Sequence, residues 1–325
     1  MYKVKSIAVV IPAYNEEERI RGVIDLVPTF VDQIIVIDDG SVDKTEDQAR
    51  SGGAFVIRHD VNKGVGASFC TGLEYVLEKG FDIMVNIDGD GQFSPLDIPK
   101  LIDPIIEGDS DFVTASRFID PKLTPDIPKI KRWGNQWMSM LISWLIGRRF
   151  YDVSCGFRSY SRETLMKLNL LGSFTYTQES FIDLAFKGVR IKEVPVKVKY
   201  FKNRKSRVSL NLFYYAFQTL KIILRSYRDY RPLRFFWSIA GLLMLISIFF
   251  SSILLVHYIR TGIFSGQIWS GFVGAFFFMN AIGFFLMGII ADILHRIRIN
   301  QERILYKLKK LDSPKNADDT HRVRN

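Results

Sequence analysis

The chain has 325 residues, 48% of them hydrophobic and 14% aromatic, enough for one large domain or two modest ones and apolar for a soluble protein. A net charge of +10 invites nucleic acid as a partner, but much of the basic excess flanks apolar segments near the C-terminus, which points to a membrane surface and away from nucleic acid. Two cysteines, Cys70 and Cys155, exclude a disulfide framework and a Cys/His zinc cluster. The opening Met-Tyr-Lys-Val-Lys-Ser lacks the long apolar core of a signal peptide, so the N-terminal portion is expected to stay in the cytoplasm.

From the start to about residue 200, strand-like and helix-like patterns alternate. Residues 6–11 read as a buried strand, 15–28 as a helix closed by Pro28, and 33–37 as a second buried strand. A helix over 43–51, a strand over 54–57, a helix over 64–79 and strands over 83–85 and 111–113 follow. Continuous apolar strands alternating with helices predict an α/β fold with a mostly parallel sheet covered on both faces. Ligands of such sheets bind at the carboxyl ends of the strands. Pro12-Ala13-Tyr14-Asn15-Glu16, Asp38-Asp39-Gly40-Ser41 and Asp88-Gly89-Asp90 all fall there.

Residues 131–149 carry Trp133, Trp137, Met140, Leu141, Trp144 and Leu145 at helical spacing between Lys131-Arg132 and Arg148-Arg149. Such a helix suits either the lipid headgroup layer or packing against the sheet. Residues 210–230 read as an amphipathic interfacial helix. Residues 235–259 and 268–291 contain no Asp, Glu, Lys or Arg, and each is long enough to span a hydrocarbon core of about 30 Å. The connection over 260–267 is short, so the two spans form a hairpin. Arg225, Arg228, Arg231 and Arg234 precede it; His295, Arg296, Arg298, Arg303, Lys307, Lys309 and Lys310 follow it, which places both ends in the cytoplasm. The expected segments are an α/β domain over 1–208, a juxtamembrane helix over 209–232, two transmembrane helices over 233–292 and a basic cytoplasmic tail over 293–325. Gly271 and Gly274 are compatible with helix packing in a homo-oligomer.

Two carboxylates two residues apart, Asp88 and Asp90, follow the apolar run Ile83-Met84-Val85. They form either a solvated Asp-Gly turn or a site for Mg²⁺ or Mn²⁺, which binds through one or two carboxylates plus substrate phosphates. Gln92 is placed to orient a ligand or water. Asp38-Asp39 is either a turn with a helix cap or a pair of acceptors for ribose hydroxyls or base nitrogens. Asn62-Lys63-Gly64-Val65-Gly66 opens a helix whose backbone amides are candidates to face a nucleotide. Arg117, after the strand at 111–113, either grips a phosphate bidentately or forms a surface salt bridge.

Pro12-Ala13-Tyr14-Asn15-Glu16, Asp38-Asp39-Gly40-Ser41, Asn62-Lys63-Gly64, Asp88-Gly89-Asp90-Gly91-Gln92 and Ser154-Cys155-Gly156-Phe157-Arg158 occur in the order seen in family-two glycosyltransferases. Over roughly residues 5–210, and in its two-span hairpin, the chain resembles the polyprenyl-phosphate branch, which includes dolichol-phosphate mannose synthases. That resemblance implies a Rossmann-like GT-A fold, a nucleotide-sugar donor such as GDP-mannose or UDP-glucose, Mg²⁺ or Mn²⁺, and a polyprenyl or dolichyl phosphate acceptor in the cell or endoplasmic reticulum membrane. It implies that Pro12, Tyr14, Glu16, Ile37 and Asp39 contact the nucleoside, that Asp88, Gly89, Asp90 and Gln92 handle metal, diphosphate and sugar, and that Arg117 holds phosphate. Asp152 and Glu179 are then candidates to contact the sugar or orient a basic loop. In that loop, Phe201-Lys202-Asn203-Arg204-Lys205-Ser206-Arg207, the family's glycine is missing and Ser206-Arg207 stands where Ser-Lys is common. Arg204 and Arg207 are its expected phosphate ligands.

The resemblance implies transfer with inversion by direct attack of the lipid phosphate. Two other readings compete. A processive polysaccharide synthase would carry Gln-x-x-Arg-Trp and more spans; a membrane-tethered nucleotide-sugar sensor would bind without turnover.

Overall fold

The computed structural model describes residues 2–125, 127, 129–169, 176–199 and 212–312. Among them, one compact unit comprises the residues up to Ile222 and from Ile304 onward, and a second comprises Ile223–Arg303.

The first unit is built on strands β1 (Ile7–Ala13), β2 (Gln33–Asp38), β3 (Phe55–Arg58), β4 (Ile83–Asn86), β5 (Phe112–Ser116), β6 (Arg158–Ser161) and β7 (Ile191–Pro195). They form one sheet in the order β3-β2-β1-β4-β6-β5-β7. β1 pairs in parallel with both β2 and β4, whereas β6 runs antiparallel to β4 and β5. This is the GT-A, Rossmann-like arrangement, with a mostly parallel sheet. Helices α1 (Ile20–Asp25), α2 (Thr45–Ser51), α3 (Val65–Glu78), α4 (Ile98–Ile106), α5 (Lys129–Ile146), α6 (Arg162–Lys167) and α7 (Tyr176–Phe186) complete it.

Alternation along β1 divides the core. Ile7, Val9 and Ile11 pack in one cluster with Ile20 and Val23 of α1, Ala49 of α2 and Ile98 and Leu101 of α4. Val10 points to the opposite face, where α3 lies so close that a Cβ on Gly72 would come within 2.4 Å of Val10 Cγ1. Helix α1 is shorter than the expected 15–28. Asn15 adopts φ 53°, its amide donates to Ser41 Oγ, and the Glu16 amide donates to Thr45 Oγ1. Those bonds draw the chain into a turn before the helix begins.

Along α5, Ser139, Ile142 and Leu145 are buried, while Trp133, Trp137, Met140 and Trp144 are exposed, Trp144 to 70%. The tryptophans therefore do not pack against the sheet.

The second unit holds the end of α8 (Leu212–Tyr230), α9 (Pro232–Thr261) and most of α10 (Ile268–Leu311). Helices α9 and α10 are long and apolar enough to cross a membrane. Only 11% and 17% of their most apolar windows are buried, so neither is the core helix of a soluble domain. Ser247 Oγ donates to Gly274 O across the hairpin, and Cβ atoms on Gly271 and Gly274 would strike Leu254 and Ser251 of α9. These two glycines serve α9–α10 packing within the chain, which removes them as support for a homo-oligomer. Helix α10 also runs on to Leu311, so the first part of the expected basic tail is helical. There Arg298 stacks on Tyr230 and bonds Glu302, tying α10 to the end of α8.

Gly72→Ala is expected to destabilise the first unit by about 1–3 kcal/mol through overpacking against Val10. Combined with Val10→Ala, it should cost less than the two single changes added, as read by thermal melts of the solubilised protein.

Candidate active site

Hydrogen bonds from neighbouring loops gather the acidic motifs around the end of β1. Asp39 donates its amide to Ala13 O at 2.9 Å on one side, and Gly89 donates to Pro12 O at 3.3 Å on the other. The parallel register that aligns Pro12 with Ile37 and Ala13 with Asp38 sets this convergence.

Asp38 and Asp39 divide the work. Asp38 has no exposed side-chain surface; it accepts the Ser41 amide at 3.0 Å and an Arg58 Nη1 bond at 3.0 Å, so it shapes the turn. Asp39 Oδ1 accepts the Lys63 amide and faces His59 Nδ1 at 2.7 Å, and Oδ2 accepts the Gly64 amide at 2.8 Å. Those three bonds leave capacity for about one more donor on a carboxylate with roughly four acceptor positions. The Lys63 and Gly64 amides, expected to face a nucleotide, are instead spent on Asp39. His59 was not singled out from the sequence. It is buried and joins Asp39 to Thr71, 3.0 Å from its Nε2. A histidine one residue past an apolar strand was its only signal.

Tyr14 is half-buried, and Glu16 is 6% exposed with Arg19 3.6 Å away. Ile37 has no exposed surface and packs in the core instead of facing a nucleoside.

In the Asp88–Gln92 turn, Asp90 Oδ1 accepts the Gln92 amide at 3.0 Å, and Gln92 O accepts the Lys199 amide at 2.9 Å. Lys199 thus lies beside the turn, five positions ahead of Arg204. Arg204 and Arg207 themselves lie outside the described residues. Asp88 sits over Gly156, where a Cβ would come within 2.8 Å of Oδ2 and 3.0 Å of Oδ1. Among the described residues, no three His, Cys, Asp or Glu side chains are grouped to hold a metal. Two carboxylates with hard oxygen donors and a backbone cradle still fit a divalent ion whose remaining ligands are waters and substrate phosphates. Glu179, on the first turn of α7, is half-buried.

Arg117 and Asp152 require a correction. Arg117 Nε lies 2.6 Å from Asp152 Oδ2, Nη2 lies 2.8 Å from Oδ1, and Nη2 also donates to Ser154 Oγ. The pair is not a surface bridge, because the side chains are only 14% and 0% exposed. Asp152 therefore stands behind Arg117 and does not face a sugar. Burial alone would raise the Asp152 carboxyl, but the charge and hydrogen bonds of Arg117 outweigh it and hold it below the usual range. Glu193, also missed, accepts the amides of Tyr151 and Asp152 and fixes this loop. Burial pushes Glu193 up, partly offset by those two amides. Cys155 is inert as a nucleophile, since burial pushes its thiol up to about 12.

A model of glycosyl transferase family 2 matches residues 8–168. A Methanococcus voltae UDP-N-acetylglucosamine–dolichyl-phosphate N-acetylglucosaminyltransferase is 34% identical over 217 residues, covering 60% of this chain and 86% of that protein. The chain belongs to glycosyl transferase family 2. A Haloferax volcanii dolichyl-phosphate hexose transferase is 32% identical over 197 residues, covering 60% and 83%. Among solved structures, Mycobacterium tuberculosis glucosyl-3-phosphoglycerate synthase with Mn²⁺, UDP and glucosyl-3-phosphoglycerate matches with TM-score 0.53 and 25% identity, covering 69% of this chain and 80% of that one. This family-two member is accordingly a glycosyltransferase with a GT-A fold.

Because folding holds Asp152 below its unfolded value of about 3.9, its pair with Arg117 stabilises fully above that pH and progressively less as pH falls through the folded value. Thermal melts should therefore show Asp152→Asn well below wild type at pH 7, with the gap narrowing at pH 3. A gap independent of pH would contradict the pairing.

Proposed function

We propose that the chain transfers a sugar from a nucleotide-sugar to a polyprenyl or dolichyl phosphate, with inversion at the anomeric carbon. The observation that carries this reading is the Asp88-Gly89-Asp90 turn seated on bare Gly156 beside the Asp39 network, in a chain that also bears two outward-facing apolar helices. The names of the relatives support the acceptor. They include transferases to dolichyl phosphate, an undecaprenyl-phosphate mannosyltransferase and a polyprenol monophosphomannose synthase. The sugars in those names differ, so the donor panel must include UDP-N-acetylglucosamine beside UDP-glucose and GDP-mannose.

In this account Asp39 uses its remaining acceptor position for an N–H of the base, with Tyr14 and Glu16 nearby on the β1 loop. Asp88 and Asp90, assisted by Gln92, are the residues that would hold Mg²⁺ or Mn²⁺. Bound there, the ion supplies positive charge against the departing nucleoside diphosphate. Arg117, fixed in place by Asp152, adds positive charge at the same sheet edge. Arg204, Arg207 and Glu179 remain the proposed contacts for the acceptor phosphate and sugar.

The acceptor's ionisation fits the side chains present. A phosphate monoester has a second pKa of about 6 and reaches the site ready to attack, with no strong base required. His59 is the only histidine before residue 222, and both its ring nitrogens are engaged, by Asp39 and Thr71. Binding and orientation by this chain are then the main contributions to rate.

We assign the transferase domain to residues 1–208, the juxtamembrane helix to 209–232 and the spans to 233–292. In this assignment the catalytic domain and both ends face the cytoplasm, an orientation the flanking arginines and lysines support. The exposed Trp133, Trp137 and Trp144, flanked by exposed Arg148 and Arg149, suit the headgroup layer.

Membranes containing the protein, given each radiolabelled donor with a polyprenyl phosphate, should move label into the organic phase with one donor. Asp90→Asn should reduce that transfer by about 100-fold or more while the protein stays folded and membrane-bound. Label that stays aqueous with every donor, or near-normal turnover by Asp90→Asn, would overturn the reading.

A further inference from the structure

Beneath Asp88 lies a buried polar pair that the sequence did not announce. Asn86, the last residue of β4, has no exposed surface; its Nδ2 donates to Gly156 O at 3.0 Å and to Tyr176 Oη at 2.7 Å. Tyr176 opens α7 and is 1% exposed, and its ring stacks on Phe69 at 4.3 Å and 8°. The Asn86 bond occupies an acceptor position on the phenol oxygen, so the hydroxyl proton must turn elsewhere. One acceptor is Gly156 O at 3.3 Å. The proposed second acceptor is the Asp88 carboxylate. A Cβ on Gly156 would come within 2.8 Å of Asp88 Oδ2 and 3.1 Å of Tyr176 Oη, so carboxylate and phenol share the space above this glycine.

The arrangement carries a cost. Asn86 Oδ1 is buried with no hydrogen-bond partner among the described residues. Leaving such an atom unsatisfied costs about 1–3 kcal/mol. Turning the amide over would instead set its oxygen against Gly156 O, so the observed orientation is the one that delivers Nδ2 to both acceptors. Arg158 anchors the same helix start. It is fully buried, and its Nη1 donates to Thr177 O at 2.7 Å and to Ser180 Oγ at 2.9 Å.

We propose that Tyr176, held by Asn86, is a positioning residue that fixes the Asp88 carboxylate for the divalent ion. The inference rests on the metal-site reading above. Groups that orient a metal ligand without touching the metal commonly contribute about 10- to 100-fold in affinity.

Purified full-length protein in detergent is titrated with Mn²⁺ in the presence of UDP and, separately, GDP, and free Mn²⁺ is read by its electron paramagnetic resonance signal. Tyr176→Phe keeps the ring stack and removes only the hydroxyl. It should weaken Mn²⁺ binding by about 10-fold or more, with KM for the lipid acceptor unchanged. Asn86→Ala, which frees the phenol to turn away, should weaken it in the same direction and carries the test if Tyr176→Phe does not fold. Asp88→Asn is the control. Loss of Mn²⁺ binding in Asp88→Asn with wild-type affinity in the Tyr176 and Asn86 variants overturns the positioning role alone. Wild-type affinity in all three overturns the metal reading with it.

Discussion

The structure depends on gathering carboxylates at one edge of a parallel sheet and compensating the buried ones among them. Strands β1, β2 and β4 run in parallel and end side by side, so the loops after them bring Glu16, Asp38, Asp39, Asp88 and Asp90 into one region. Like charges so close repel unless the chain supplies partners. Asp38 takes Arg58, Asp39 takes two amides and His59, and Asp152, on the loop before β6, takes Arg117. Breaking a buried pair such as Arg117–Asp152 leaves an uncompensated charge and costs about 3–5 kcal/mol. These partners do more than neutralise. They order the loops at this sheet edge.

The membrane hairpin and the acidic edge answer different parts of one chemical problem. A nucleotide-sugar is water-soluble and polyanionic, and under the proposed function the edge would supply acceptors for its nucleoside and carboxylates for a cation on its diphosphate. A polyprenyl phosphate lives in the bilayer, and the chain carries two helices long and apolar enough to cross one. The proposed acceptor would arrive ionised, which fits a site whose one histidine is committed to holding Asp39.

Much of the fold was legible because buried parallel strands leave continuous apolar runs, as in Ile7–Ala13 and Gln33–Asp38, each ending in polar turn residues. The uncharged spans were legible for the same reason. Strand β6 was not, since Arg-Ser-Tyr-Ser has no strand pattern and is defined by its antiparallel neighbours. Helix α1 was overestimated because side chains from the loop after β2 capture the amides of Asn15 and Glu16, a contact that local periodicity does not encode. The site followed the same division. Acidic motifs at strand ends could be read directly. The partners of those acids, His59, Glu193 and Tyr176, lie 20, 41 and 88 positions from Asp39, Asp152 and Asp88 and are visible only once the chain is folded. Arg117 shows the limit most clearly: its position after a strand gave no sign of the buried Asp152 opposite it.

The central claim is that Asp88 and Asp90 hold a divalent ion against a nucleoside diphosphate. Anomalous diffraction at the manganese edge, from crystals grown with Mn²⁺ and UDP or GDP, tests it most directly. The account predicts a peak within bonding distance of an Asp88 or Asp90 carboxylate oxygen and of the nucleotide's phosphate oxygens. A bound nucleotide with no such peak, or a manganese ion held elsewhere, would contradict it.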